Sequence, residues 1–275
     1  MGGLEVSYLN EPDDSFYRRI ELLLLDHVAT LSSLTDLSIQ GKIKVALLHT
    51  LTGTAERLSF TSKQQLPEQL IMMLEHKTDY RETGASFSCH SFSNFPCLTE
   101  LKLINLNIRE LPEDIDCLLS LRTIDLTGND FMHLQKTMAK LTTLEYLILR
   151  NCRHLDALPQ LTLPGVDNQA RGLLELCIDN CKNLQSLQEQ LLCYYTSLAY
   201  LDLSNHEFER MPTSISKLST LITLCLNNCK KLKSVEELPR SLNHLYAQGC
   251  DSLESVALSL DHMIKHIDLR DCPRF

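Results

Sequence analysis

The chain lacks any excess of positive charge: 26 Lys and Arg stand against 35 Asp and Glu, a formal net charge of -9. With no positive field to attract phosphate, the composition excludes a general nucleic-acid or anionic-membrane binder. A long apolar run is missing too. The longest early one, Leu22 to Leu25, falls far short of the ~20 apolar residues of a membrane helix. Acidic and aromatic residues precede it, not the basic start of a secretory signal. None of the 13 Asn is followed by x-Ser or x-Thr, so the acceptor pattern of secreted repeat proteins is lacking. The 11 Cys are an odd number, and 275 residues can build a core without disulfide staples. These absences point to a protein of the cytoplasm or nucleus with free thiols.

Motifs that carry chemistry are equally scarce. Gly41-Lys42 lacks the frame of a phosphate loop, and neither G-x-S-x-G nor H-E-x-x-H occurs. The adjacent carboxylates Asp13-Asp14 and Glu113-Asp114 have nothing to make them face one substrate, so they do not amount to a general acid and base. Cys177 and Cys181, like Cys225 and Cys229, are four residues apart, which resembles half of a zinc site. The first of each pair falls at an outward strand position and the second at an inward turn position, so their side chains diverge. The sequence therefore argues against an enzyme, and it calls for no cofactor and no metal.

What the chain has in abundance is Leu, at 56 of 275 residues, and the Leu are periodic. From Leu98 the pattern L-x-x-L-x-L-x-x-(N/C)-x-x-L recurs, first as LTELKLINLNIRELP and then as LRTIDLTGNDFMHL and LEYLILRNCRHLDALP. Later copies start at Leu173, Leu198, Leu221, Leu242 and Ile264. The second apolar position steps through residues 101, 124, 147, 176, 201, 224, 245 and 267, intervals close to the 20–29 residues of a leucine-rich repeat. In x-x-L-x-L-x-x the apolar residues face one way on a short strand. Stacked units pair these strands in parallel and fuse the Leu rows into one core. The Asn or Cys that follows turns inward, where it can hydrogen-bond the turn backbone. Segments such as PEDIDCLLSL and PTSISKLSTL return the chain along the outer face as short helices or helical turns.

The expected fold is thus an α/β leucine-rich-repeat solenoid, with a curved parallel sheet on the concave face and short helices and loops on the convex face. Residues 1–30 read as a lead-in and 31–60 as degenerate repeats. An irregular island covers 61–97, with a short helix in LPEQLIMMLEHK and a loop in TGASFSCHSFSNFP. About eight repeats fill 98–275, the last incomplete, with a surface-loop insertion at 160–172.

Outward strand residues line the concave face. Three columns run along it, including Tyr146, Glu175, Tyr200, His244 and His266 in the first. The second includes Asp125, Ile148, Cys177, Asp202, Cys225 and Tyr246, and the third includes Arg150, Asp179 and Arg270. Tyr and Arg dominate binding hot spots, and an outward Ile between them is unusual. The candidate protein-binding residues are Tyr146, Ile148, Arg150, Tyr200, Asp202, Tyr246 and Arg270.

The stretch RMPTSISKLSTLITLCLNNCKKLKSVEELPRSLNHLYAQGCDSLESV, with LTELKLINLNIRELPEDI, is similar to the repeat region of plant intracellular disease-resistance receptors. It most resembles the class that also carries a Toll/interleukin-receptor domain and a nucleotide-binding domain. The resemblance covers 98–275 well and 31–97 more loosely. It implies a module that recognises a pathogen molecule or a guarded host protein, and that holds a nucleotide-binding switch at rest. It carries over neither NAD cleavage nor nucleotide binding, because neither other domain is present. Gln135 stands where Pro usually follows Leu, and both ends look uncapped. The sequence thus reads as a fragment or truncated product whose open last strand, at Leu269, promotes aggregation. The alternative reading is a stand-alone intracellular repeat adaptor or scaffold, for example one that recruits substrates.

Overall fold

The structure, a computed structural model, describes residues 97–106, 108–111, 113–134, 136–159, 161, 172–184, 195–258 and 264–275. It also describes the backbone of three earlier strands, 2–7, 34–40 and 57–61. The island helix and loop, Gln135, and all of the 160–172 insertion but Leu161 and Gly172 lie outside the described residues.

Each repeat contributes one strand to the main sheet, and two of them add a short second strand. The strands are β1 (Gly2–Ser7), β2 (Leu34–Gln40), β3 (Arg57–Thr61), β4 (Glu100–Ile104), β5 (Thr123–Asp125), β6 (Tyr146–Ile148) and β7 (Glu175–Cys177). They continue as β8 (Tyr200–Asp202), β9 (Thr223–Cys225), β10 (Ser234–Val235), β11 (His244–Tyr246), β12 (Ser255–Val256) and β13 (His266–Asp268). All but β10 and β12 form a single parallel sheet of eleven strands, nearly all in chain order. The register keeps every repeat in step: Ile124 lies beside Leu147, Leu147 beside Leu176, and Leu201 beside Leu224. β1 pairs with β2 over its whole length, a strand that the Leu spacing does not announce.

Three apolar rows form the core. Leu98, Leu121, Leu144 and Leu221 belong to the first, Leu101, Leu147 and Leu224 to the second, and Leu103, Leu149 and Leu226 to the third, all at most 2% exposed. Each such side chain contributes roughly 1.5–3 kcal/mol over an exposed one. The return segments are 3-10 helices of five residues, Glu113–Cys117, Lys136–Lys140 and Thr213–Lys217. Their form follows from spacing. Ile115, Leu118 and Leu121 recur every third residue, as do Met138, Leu141 and Leu144, and Ile215, Leu218 and Leu221, and all are buried. A turn of three residues aligns such a row on one face. The hydroxyls of Thr143, Thr220 and Ser241, each just before a first-row Leu, donate to main-chain carbonyls of the preceding repeat.

The turn after each strand carries the chemistry expected of it. Asn129 is fully buried: its Nδ2 donates to the carbonyls of Leu103 and Leu126, and its Oδ1 accepts the N–H groups of Leu106 and Ile108. In later repeats a thiol takes the place. Cys152, Cys181, Cys229, Cys250 and Cys272 each donate to a carbonyl of the preceding repeat, at 3.0 to 3.4 Å. His206 interrupts the row, its Nδ1 against the carbonyls of Leu203 and Ser204. One residue earlier in each turn the backbone is left-handed, at Asn105, Gly128, Asn151, Asn180, Asn205, Asn228, Gly249 and Asp271. Only Gly, Asn and Asp fill this row, the residues that tolerate positive φ best.

Candidate functional site

On the concave face the period of two makes the middle residue of each short strand core and leaves its neighbours on the surface. Tyr146 and Ile148 flank the buried Leu147 on β6, and Tyr200 and Asp202 flank Leu201 on β8. Because the repeats are in register, Tyr146, Glu175 and Tyr200 sit side by side across three adjacent strands, as do Ile148, Cys177 and Asp202.

Arg150 ties this patch together. Its side chain spans two repeats: Nε lies 3.2 Å from Asp179 Oδ1, and Nη2 lies 3.9 Å from Asp202 Oδ2 and 3.6 Å from Cys177 Sγ. The thiol of Cys177 in turn donates to Glu175. Asp202 also accepts the backbone N–H of Ser204. The Cys225 thiol donates to the Tyr200 hydroxyl at 3.4 Å.

The electrostatics follow from partial burial. The Asp179 carboxyl is pushed above its usual value by burial and then by the charge of Asp202, with Arg150 opposing both. The Arg150 guanidinium is raised, first by its hydrogen bond with Cys177 and then by the nearby carboxylates against the cost of burial. Burial raises the Tyr200 hydroxyl, assisted by Cys225 and Asp202. It also lifts Cys177 to about 12 and Cys225 to about 11. Both thiols are therefore protonated at neutral pH and poor nucleophiles. The patch offers one guanidinium, several carboxylates and two phenols, which suits contact with a polar partner.

Of the seven candidate residues, five meet here: Tyr146, Ile148, Arg150, Tyr200 and Asp202. The other two form a separate patch near the end of the sheet. Tyr246 leans on His266, ring centroids 5.3 Å apart. Arg270 makes a two-pronged pair with Asp268, which holds that carboxyl down at about 2. Spacing alone passed over Glu175 and Asp179 as site members, although both stand in the columns one repeat beyond Tyr146 and Arg150. One expectation needs correcting. Cys177 and Cys225 occupy outward positions but are only 0% and 7% exposed, because Arg150 and Tyr200 from neighbouring repeats lie against them.

The chain is similar to plant disease resistance proteins. It is 27% identical to disease resistance protein RPS4 of Arabidopsis thaliana over 158 residues, 51% of this chain and 13% of that protein. It is 29% identical to RPS4B of the same plant over 186 residues, 66% of this chain and 15% of that protein. It is 31% identical to TMV resistance protein N of Nicotiana glutinosa over 147 residues, 49% of this chain and 13% of that protein. The match thus spans a small part of each relative. No family model matches the chain. Among solved structures, a leucine-rich-repeat protein of Leptospira interrogans superposes with a TM-score of 0.50 at 18% identity, over 89% of this chain and 75% of that one. A chain from the octameric complex of latrophilin 3, Unc5D and the FLRT2 leucine-rich repeats superposes with a TM-score of 0.51 at 16% identity, over 92% and 70%. The fold is that of a leucine-rich-repeat solenoid. Among the described residues no helix is long and apolar enough to cross a membrane.

Proposed function

We propose that this leucine-rich-repeat solenoid, with plant disease resistance proteins as its relatives, is a protein-interaction module of plant defence signalling. In this reading the concave face recognises a pathogen protein or a guarded host protein, in the cytoplasm or nucleus. Where the chain adjoins a nucleotide-binding switch domain, the same repeats restrain that switch. The observation that carries the reading is the cluster of half-buried Tyr146, Ile148 and Tyr200 with exposed Arg150 and buried Asp202, on β6 and β8 with β7 between them. Preorganised aromatic and Arg side chains of this kind anchor interfaces. The solenoid supplies the rigid curved sheet that holds them.

The test is a two-hybrid screen of plant and pathogen proteins against the chain, repeated with Tyr146→Ala/Tyr200→Ala. The two rings are only half-buried, so the variant should fold, as its circular dichroism checks. The reading expects partners that bind the native chain and are lost with the variant. Partners retained at full strength by the folded variant would remove the concave face from the account.

A further inference from the structure

Over β6 to β8 the described residues carry an imbalance of charge. Among the described residues Arg150 is the single cation of this patch, and it faces Asp179 and Asp202 with Glu175 close by. The patch therefore holds an excess of two negative charges. The geometry leaves the acids incompletely served. Asp179 Oδ1 is buried and has the ion pair with Arg150 Nε at 3.2 Å but no aligned hydrogen bond from a described residue, and Arg150 reaches Asp202 only at 3.9 Å. Burial of Asp179, and then repulsion from Asp202, already holds the Asp179 carboxyl above its usual value.

The second observation is aromatic. Glu175 lies in register between Tyr146 on one side and Tyr200 on the other. With strands ~4.8 Å apart, the backbones of the two tyrosines stand roughly 10 Å from each other with Glu175 between them. A carboxylate with a phenol side chain in register on each side is the chemistry that receives an organic cation. The acid supplies the charge, and each ring face adds cation–π attraction, which favours guanidinium.

We propose that this face docks an arginine-bearing segment of a protein partner, its guanidinium seated over Glu175 between Tyr146 and Tyr200 and drawn toward Asp202. The proposal deepens the interaction reading above and rests on it. The occupant follows from charge complementarity: an incoming cation offsets the acidic excess that Arg150 leaves. A segment carrying Asp or Glu would instead meet like charge.

The experiment uses a displayed library of random dodecapeptides, selected on the immobilised chain and sequenced before and after selection. Selected peptides are expected to be enriched severalfold in Arg, and in Arg over Lys. The best of them should lose about tenfold or more in affinity against Glu175→Gln/Asp202→Asn, and should weaken as salt rises from 50 to 500 mM, on the order expected for pairing of exposed charges. Glu175→Gln alone is close in shape and serves as a control should the double variant fail to fold. Enrichment of acidic or purely apolar peptides, or no enrichment, overturns the proposal. The two readings also part here. Binders without Arg that are lost with Tyr146→Ala/Tyr200→Ala sink the guanidinium site and keep the concave face. Binders indifferent to both variants sink both.

Discussion

Replacing Asn129 by Ala removes more hydrogen bonding than any other single core side chain among the described residues. Its amide makes four short bonds to main-chain groups, two donated to the carbonyls of Leu103 and Leu126 and two accepted from the N–H groups of Leu106 and Ile108, besides a longer contact to the Thr127 carbonyl at 3.4 Å. The side chain is fully buried, so water does not replace them. At about 1 kcal/mol net per bond, the loss is roughly 4 kcal/mol. Asn129→Cys offers a graded comparison, because Cys holds this place in five other repeats and makes one bond back to the preceding repeat. It keeps about one of the four bonds and should cost nearer 3 kcal/mol. Urea unfolding followed by circular dichroism reads both values. Hydrogen exchange at Leu106 and Ile108 reports whether the loss is local, as expected when each repeat contacts only its neighbours. An Asn129→Ala chain within about 1 kcal/mol of the native one would refute the claim that this turn depends on its side-chain amide.

Three further outcomes follow from the same geometry. Gly128 has a φ of +71°, and a Cβ there would lie 1.8 Å from Asn105 Oδ1; Gly128→Ala should destabilise by about 1–3 kcal/mol, and an unchanged urea midpoint would contradict it. Burial holds the His206 imidazole below its usual range, and its Nε2 has no hydrogen-bond partner among the described residues. The neutral ring is thus the folded form, and this group's contribution is complete above about pH 6.5 and declines as pH falls toward the lowered folded value. Melting temperatures of the native chain should accordingly drop more between pH 7 and 5 than those of His206→Asn; parallel curves would count against it. Burial pushes the Cys152 and Cys229 thiols up to about 12, whereas Cys97 is exposed. Alkylation at pH 8 read by peptide mass spectrometry should label Cys97 first and the two buried thiols only in denaturant; equal labelling in the native chain would refute the inward placement.

Much of this architecture was legible because Leu is frequent and its spacing carries two periods at once. The alternation L-x-L makes the strand, and the interval of 21 to 29 residues between strands sets which side chains become neighbours. Register then follows: it is why Tyr146, Glu175 and Tyr200 can be read side by side without coordinates. The three-residue spacing of Ile215, Leu218 and Leu221 holds the signal for 3-10 rather than α geometry. Other features were hidden for physical reasons. β1 contains Leu4 and Val6 but no first-row Leu ahead of them, so nothing in GGLEVS distinguishes it from an isolated apolar pair. The burial of Cys177 and Cys225 depends on where the side chains of Arg150 and Tyr200 lie, which is a rotamer choice made across repeats. For the same reason Arg150 could be picked as a surface anchor, while its role as a clamp between Asp179 and Asp202 needed three dimensions.

The central claim, that recognition occurs on the concave face, is tested most directly by hydroxyl-radical footprinting of the chain with a partner recovered from the two-hybrid screen. Tyr146 and Tyr200 report the concave face, whereas Leu119 and Met132, 63% and 62% exposed, lie outside the eleven-stranded sheet. The account predicts that partner binding protects both tyrosines from oxidation and leaves Leu119 and Met132 unchanged. Protection of Leu119 or Met132 with the tyrosines unaffected would place the interface elsewhere on the solenoid and contradict it.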